Sequence, residues 1–389
     1  MDLDSLYLDF NATSPLSTSV SDWLKSGDVI FGNPSSQHSS GKAARKTINE
    51  SRAKIFATFN KNETETKLFF HSGATEGIMS VAYSFSVDAR NAHKKLLICY
   101  SSIDHPAVTS LKDRFWGEHV EFFELKLKTD LSYDHESNLK SLRLKKQTDP
   151  DLLILYHHLW VHNETGFVSP LDKLTVFKQV PGLYLHIDAV QAPGKVLEWK
   201  KLSEGDIWTF SAHKFGALKG IGFTFIRESL PFHPLFVGGG QQQGLRGGTE
   251  NPQGIKSIAL ALGDLEKVNV EATISIKSEL VKFMESELKG IGEVLKSNAW
   301  NSNTIYFYLN HLASDIALAL FDLNGLMLSA GSACSSGAAK PSLVLTELGK
   351  MDVAKNGLRI SLPFQFGQED LNYLKTRLLP VFNKLKSSK

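Results

Sequence analysis

A lysine and an aspartate each come soon after a short apolar run, and their side chains offer complementary chemistry. Asp188 directly follows "LYLHI", and Lys214 comes shortly after "DIWTF". A carboxylate at the end of a buried strand is costly unless a cation faces it, and a lysine amine can bond covalently to an aldehyde. A lysine at a strand end is otherwise an ordinary surface charge, so these two residues alone do not define a site.

A possible phosphate site adds to this pair. Gly73 and Thr75 lie where the apolar run "KLFF" gives way to a helical pattern. The N–H groups of a first helical turn, with a threonine hydroxyl, can bind a phosphate, and a capped strand-to-helix turn is the alternative interpretation. A phosphate site, a carboxylate and a lysine together are what an enzyme needs to hold pyridoxal phosphate. A nicotinamide dinucleotide fits poorly, because no G-x-G-x-x-G segment follows an early strand.

The elements that must position these residues form a regular pattern. Between about residues 40 and 250, short apolar runs alternate with amphipathic stretches, which is typical of βαβ units and a largely parallel sheet. Ligands of open α/β sheets bind beyond the carboxyl ends of the strands, so the residues after these runs are expected to meet there. The runs are "KLFF", "KLLICY", "LLILY", "LYLHI", "DIWTF" and "GFTFI".

The chain is long enough for two domains, and its pattern changes after "TENPQG". We expect an α/β fold in which a large domain over 15–253 holds a mainly parallel central sheet. A smaller α+β domain over 254–389 would be completed by residues 1–14. The elements expected besides the strands above are a helix over 41–59 capped by Ser39 or Ser40, a long helical region over 255–289, strands at "NTIYFYL", "LMLSA" and "LRISL", a helix from Ser314 and a final helix toward Lys389.

The composition is that of a globular protein whose partner is a small molecule or another protein. The 389 residues carry a formal net charge of +2, with neither a polybasic stripe for nucleic acid nor an apolar run of membrane-spanning length. The N-terminal "MDLDSLYLDF" has neither a secretory nor a transit pattern, so a cytoplasmic protein is expected. The two cysteines lack the spacing of a zinc site, and no metal is expected.

Ten short motifs follow one another along nearly the whole chain. They are "YLDFNATSP", "FGNPSSQH", "SGATEG", "IDHPAV", "HNETG", "HIDAVQAPGK", "SAHKFGALKGIG", "GGGQQQGLRGGTEN", "SAGSACSSG" and "LRISL". In this order they resemble the cysteine desulfurases, which belong to the class V aminotransferase group of fold-type I pyridoxal-phosphate enzymes. A single such motif is weak, but ten in order are specific.

The resemblance implies catalytic roles. Lys214 would hold the cofactor as a Schiff base and later move the proton of the substrate α-carbon, while Asp188 would keep the ring nitrogen protonated. His105 would stack on the ring and act as acid or base, although a surface-loop histidine is the alternative. Arg359, on "LRISL", would bind the substrate carboxylate with its two-pronged guanidinium, unless it is an exposed strand arginine.

The resemblance also implies how the cofactor is bound. Gln191 and Asn163 would hydrogen-bond the ring oxygen, and Asn163 would also orient the substrate. Thr75, Ser211 and His213 would hold the phosphate, which Thr249 would reach from the second subunit of a homodimer. The implied cofactor-binding residues are Ala74, Thr75, His105, Asn163, Asp188, Gln191, Ser211, His213, Lys214 and Thr249.

The two cysteines have different sequence environments. Cys334 lies within the Gly/Ser-rich "SAGSACSSG", and a thiol on a flexible loop of this kind can enter a site and attack the sulfur of a bound cysteine. The resemblance implies that Cys334 carries the resulting persulfide. Cys99, inside "KLLICY", is expected to be an inert core residue.

The implied activity converts L-cysteine to L-alanine and supplies sulfur for iron-sulfur cluster or thio-cofactor synthesis through an acceptor protein. Three alternatives stay open: a selenocysteine lyase, an aminotransferase or β-lyase without a protein thiol, and a non-catalytic sulfur carrier or binding partner. The chain departs from the usual motifs at Leu218, His162 and Ala330, none of which removes a catalytic group. From the resemblance we also expect it to be without the longer C-terminal extension with which housekeeping members dock a scaffold protein, which leaves the sulfur acceptor open.

Overall fold

The structure is a computed structural model that describes residues 5–114, 116–296, 299–330 and 341–387. Its strands are β1 (Leu6–Tyr7), β2 (Thr66–His71), β3 (Leu96–Tyr100), β4 (Val120–Glu124), β5 (Leu153–Leu159), β6 (Leu183–Asp188), β7 (Ile207–Ser211), β8 (Gly222–Arg227), β9 (Gly292–Val294), β10 (Thr304–Leu309), β11 (Leu326–Met327), β12 (Ser329–Ala330) and β13 (Gly357–Ser361).

The central sheet has seven strands in the order β2-β8-β7-β6-β5-β3-β4. β8 runs antiparallel to both of its neighbours, and the other pairs are parallel. The predicted α/β fold with a mainly parallel sheet is therefore confirmed. All six predicted runs form strands of this sheet, whereas the edge strand β4 was not predicted.

The helices are α1 (Thr18–Lys25), α2 (Ser39–Thr58), α3 (Ala74–Asn91), α4 (Pro106–Thr109), α5 (His135–Thr148), α6 (Pro252–Leu265), α7 (Val270–Glu287), α8 (Ser314–Leu323), α9 (Leu343–Glu347) and α10 (Gln368–Ser387). The cap of α2 is His38, whose ring accepts a hydrogen bond from the N–H of Gly41, rather than the predicted Ser39 or Ser40. The single helical region predicted over 255–289 is two helices, because Asn269 caps a new start at α7. None of the helices in these described ranges is long and apolar enough to cross a membrane.

Alternate side chains of the buried strands face two separate helical layers. Cys99 and Tyr156 pack in the core that α2 and α6 cover, and Ile98 and Leu155 pack in the core that α3 covers. Because both faces are covered, the strands are continuous apolar runs, and every residue of β3 and β5 is buried. This arrangement leaves the ends of the strands as the place for polar side chains.

A second, four-stranded antiparallel sheet has the order β12-β13-β10-β9. Its core contains residues of α7, α8 and α10, together with Leu8 near the N-terminus. Ile255 and Leu262 of α6, although they follow residue 253, pack in a core of the central sheet. The predicted domain division between residues 253 and 254 stays a prediction.

Candidate active site

A cavity of about 630 Å³ lies beyond the carboxyl ends of the central strands. Its lining includes ten of the predicted site residues: Ala74, Thr75, His105, Asn163, Asp188, Gln191, Ser211, His213, Lys214 and Arg359. These residues are widely spaced in the sequence, and the sheet topology brings them together. Of the two other predicted residues, Cys334 lies outside the described residues, and Thr249 is exposed and does not line the cavity.

Lys214 is held at the end of β7 by a short 3-10 turn over Ala212–Phe215. Gly216 ends this turn with a φ of +90°, a backbone conformation that favours glycine. The Lys214 amine donates hydrogen bonds to the main-chain oxygens of Asn11 and Ala12, both at 2.8 Å. The N-terminal segment therefore positions the amine in the cavity.

Asp188 is the last residue of β6, and only 7% of it is exposed. Its Oδ1 accepts a hydrogen bond from the N–H of Val190 at 3.0 Å. Burial raises the pKa of this carboxyl to about 6, and the hydrogen bond and the nearby Lys214 offset only part of that effect. A further positive charge close to this carboxyl group would therefore stabilise its ionised form.

His105 is the cap of the short helix α4, and its Nδ1 accepts a hydrogen bond from the N–H of Ala107 at 3.1 Å. The neutral ring therefore carries its proton on Nε2. Burial and then the charge of Lys214 lower the pKa of His105 to about 4. The ring is consequently neutral at physiological pH.

The start of α3 provides a set of main-chain donors at the cavity. Gly73, Ala74 and Thr75 line the cavity, and no side chain caps the helix at Gly73. His213 lies on the same lining, with its Nδ1 3.1 Å from the Thr13 hydroxyl. Burial, followed by the charge of Lys214, lowers the pKa of His213 to about 4. The helix start combines N–H donors with a neutral histidine, which suits a phosphate.

Arg359 also lines the cavity and is the residue of the lining that lies on β13, in the second sheet. It is 4% exposed. Its Nη2 donates to Asp9 Oδ1 at 2.7 Å and to the Ser329 hydroxyl at 3.1 Å, and its Nη1 donates to the main-chain oxygen of Asn163 at 2.9 Å. The guanidinium is thus held in one orientation by partners from three segments of the chain.

Three further residues of the site were not predicted, although the first two lie in "YLDFNATSP" and the third ends "HIDAVQAPGK". Asp9 pairs with Arg359, and Asn11 accepts the Lys214 hydrogen bond. Lys195 is fully buried and donates to Asn11 Oδ1 at 3.1 Å. The motifs contained these residues, but only the three-dimensional arrangement reveals their contacts with the site.

The residues of the cavity fit pyridoxal phosphate. The buried carboxyl of Asp188 suits a protonated ring nitrogen, since burial raises its pKa and a facing cation would offset that effect. The Lys214 amine lies in the cavity, where an aldehyde could bond to it, and the start of α3, which no side chain caps, could bind the phosphate. These three features lie at one cavity.

The comparisons with known proteins agree with this arrangement. The chain belongs to the class V aminotransferase family, whose model matches residues 6–374. A curated relative, the cysteine desulfurase IscS of Dictyoglomus turgidum, is 32% identical over 98% of this chain and 95% of its own length. The cysteine desulfurase of Cereibacter sphaeroides is 29% identical over 99% and 97% of the two chains.

Solved structures give the same result. A NifS-like protein has a TM-score of 0.83 and 25% identity, covering 98% of this chain and 100% of its own. SspA in complex with cysteine has a TM-score of 0.72 and 26% identity, covering 92% and 98%. The predicted family, fold class and pyridoxal-phosphate dependence are confirmed.

Proposed function

We propose that this chain is a pyridoxal-phosphate-dependent cysteine desulfurase that converts L-cysteine to L-alanine and carries the sulfur on Cys334 as a persulfide. The observation that carries the proposal is the placement of Lys214, Asp188 and Arg359 around one cavity. The first two suit the cofactor, and the third suits the substrate carboxylate. The assignment of cysteine as the substrate follows from the family resemblance.

The cofactor, when bound, draws electrons away from the α-carbon of the substrate. Asp188 would hold the ring nitrogen in its protonated form, and the buried position of the carboxyl strengthens that interaction. Lys214 would take the proton from the α-carbon, because its amine lies in the cavity. The Nε2 proton of neutral His105 makes this ring a hydrogen-bond donor toward the cavity ligand.

Substrate orientation would depend on Arg359. The guanidinium is already fixed by Asp9, Ser329 and the main-chain oxygen of Asn163, so little entropy is lost when a carboxylate binds to it. Asn163 contributes to this wall through its main chain. A carboxylate on Arg359 would leave the rest of the amino acid to extend toward Lys214.

Cys334 is proposed as the sulfur acceptor within the chain. It is five residues beyond Ser329, whose hydroxyl contacts Arg359, so the polypeptide is long enough for Cys334 to reach the cavity. In the transfer, the thiolate of Cys334 attacks the substrate sulfur. A new S–S bond forms while the C–S bond of the substrate breaks, and the electron pair of that bond goes to the carbon skeleton, which takes up a proton and becomes alanine. The persulfide would then pass to an acceptor protein for iron-sulfur cluster or thio-cofactor synthesis.

We also propose that the enzyme is a homodimer in which Thr249 of each chain serves the phosphate of the other, and a cytoplasmic location stays a prediction. Thr249 is exposed on a Gly-rich segment, as a residue that serves a neighbouring subunit would be.

The experiment that tests the function is direct. Purified protein should be yellow, release alanine from cysteine and become labelled on the peptide that contains Lys214 after borohydride reduction. Release of pyruvate without a persulfide would favour a β-lyase, exchange of amino groups with a keto acid an aminotransferase, and a strong preference for selenocysteine a lyase for that substrate. Protein that binds no cofactor would overturn the enzyme assignment.

A further inference from the structure

Lys195 is a buried lysine beside the proposed site, with no exposed surface. Burying an ammonium is costly unless it is well hydrogen-bonded. Its amine donates to the side-chain oxygens of Asn11 and Gln191 and lies 5.8 Å from the ring centre of Phe364. Burial is the main cause that lowers its pKa, and the charges of Lys214 and Arg359 add to it. Burial of the Lys195 amine costs free energy, and the proposed reaction does not use this amine, so we expect it to have another role.

The contacts of Lys195 determine which way two side-chain amides point. The Lys195 amine donates to both amide oxygens, so both amides turn their oxygens toward it. The nitrogen of Gln191 then faces the main-chain oxygen of Asn11, to which it donates at 3.0 Å. The nitrogen of Asn11 is likewise directed to the main-chain oxygen of Asn163 at 3.2 Å. The Gln191 amide is thus held at both ends, by Lys195 on its oxygen and by the main-chain oxygen of Asn11 on its nitrogen, and loss of Lys195 removes the contact on the oxygen side.

The hydrogen bonds among Lys195, Asn11 and Gln191 are connected to the proposed site in two places. The main-chain oxygen of Asn11 accepts hydrogen bonds from both Gln191 and Lys214. Gln191 also lines the cavity, and its amide nitrogen has a second hydrogen besides the one directed to Asn11. The orientation that Lys195 imposes therefore leaves a donor, rather than an acceptor, available on Gln191.

We propose that Lys195 is a positioning residue that fixes the amide of Gln191 with its nitrogen available to the ring oxygen of the cofactor. The proposal rests on the proposed function, in which Gln191 binds that oxygen. An inverted amide would place an oxygen against the electron-rich ring oxygen and weaken binding.

The test measures the affinity of the cofactor-free protein for pyridoxal phosphate and for 3-deoxypyridoxal 5′-phosphate, which lacks the ring oxygen. Lys195→Met should lower the affinity for pyridoxal phosphate about tenfold, the usual size of a charge-assisted hydrogen bond, and leave the affinity for the deoxy compound nearly unchanged. An equal loss for both compounds, or no loss for either, would overturn the proposal. Fluorescence titration gives both constants without any measurement of turnover.

Lys277→Met is the matched control. Lys277 is also a buried lysine, 5% exposed, but it donates to the main-chain oxygens of Asn301 and Thr304, which cannot exchange with a nitrogen. Its replacement should reduce stability without changing the ratio of the two affinities. A matching change of the ratio in this variant would contradict a specific effect of Lys195.

Gln191→Glu provides a second variant if Lys195→Met does not fold. The carboxylate keeps an oxygen toward Lys195 and replaces the nitrogen by another oxygen, so the same selective loss is expected. An unchanged ratio of the two affinities would overturn the proposal, because it would mean that this end of the residue 191 side chain does not contact the ring oxygen. Wild-type protein that fails to bind pyridoxal phosphate would instead refute the proposed function, which keeps the two failures distinct.

Discussion

Arg359 and Asp9 form a close ion pair in the cavity, with Nη2 of the arginine 2.7 Å from Oδ1 of the aspartate. The side chains are 5% and 20% exposed, so solvent screens the pair only partly. A substrate carboxylate that binds Arg359 must share the guanidinium with Asp9. The pair therefore orients Arg359 and at the same time competes with the substrate.

Replacing Asp9 by Asn separates these two effects. The amide oxygen of Asp9→Asn still accepts a hydrogen bond from Arg359, but the competing negative charge is gone. We expect the KM for cysteine to fall about fivefold, which corresponds to roughly 1 kcal/mol for a partly screened ion pair, with kcat little changed. Steady-state kinetics of alanine release measure both constants. A higher KM would mean that the charge of Asp9 assists substrate binding.

The burial of Asp188 predicts that the variant Asp188→Asn is more stable toward unfolding than the wild type when no cofactor is present. Its pKa is raised from 3.8 to about 6, so the folded state holds a proton that the unfolded state loses between about pH 4 and pH 6. Stability contributed by this group therefore decreases as the pH rises through that window. Asp188→Asn removes the titration and should stabilise the cofactor-free protein at pH 7 by up to roughly 3 kcal/mol, from a shift of about two pKa units.

Thermal unfolding at several pH values checks this expectation. The difference between Asp188→Asn and wild type should narrow as the pH falls from 7 toward 4. Exposed Asp113→Asn is the control and should change stability little at any pH. With cofactor added, the wild type should become more stable than Asp188→Asn, because only the carboxylate can pair with a protonated ring nitrogen. A variant that is less stable than wild type without cofactor at pH 7 would contradict the proposed cost of burying Asp188.

The two cysteines provide a matched pair of variants. Cys99 has no exposed surface, and burial raises the pKa of its thiol, so it is neither accessible nor ionised. Cys99→Ala should keep activity per folded molecule. Cys334→Ala should keep the yellow cofactor and the binding of cysteine, since Lys214 and Arg359 are unchanged, but should form no persulfide. Mass spectrometry after addition of cysteine shows which of the two cysteines has gained a sulfur atom. A sulfur adduct on Cys99 alone would reject the mechanism.

Most strands could be predicted because buried parallel strands appear in the sequence as continuous apolar runs, as β5 illustrates. Strand β4 escaped prediction because it lies at the edge of the sheet, where "VEFFE" is only partly buried and lacks such a run. The break between α6 and α7 was missed because apolar residues continue across it, and the capping contact of Asn269 decides the boundary.

The ends of the strands made most of the site predictable, since Asp188 is the last residue of β6 and Lys214 lies in the turn that follows the neighbouring strand β7. The supporting contacts were not predictable. Asn11 meets Lys195 across 184 residues of sequence, and Asp9 meets Arg359 across 350. Such pairings depend on the path of the N-terminal segment past the cavity, and local sequence periodicity does not predict that path.

The segment that carries Thr249 is attached to its own subunit at two places. Arg246 donates to Glu76 of α3 at 3.0 Å, and the amide of Gln242 exchanges hydrogen bonds with the N–H and main-chain oxygen of Phe70 at 2.6 and 3.0 Å. Thr249 itself is exposed beyond these contacts. The attachments fix the segment, while Thr249 stays available to a second subunit.

Mixed dimers test whether Thr249 acts across the subunit boundary. Thr249→Ala should weaken the phosphate site in both halves of a homodimer, and Lys214→Ala should abolish turnover. In a dimer with one chain of each kind, the Thr249→Ala chain keeps its own Lys214 and receives an intact Thr249 from its partner, so one site is complete. Activity should therefore reappear when the two variants are unfolded, mixed and refolded together. If each Thr249 serves its own chain, no mixed dimer contains a complete site, and activity will stay at the level of the separate variants.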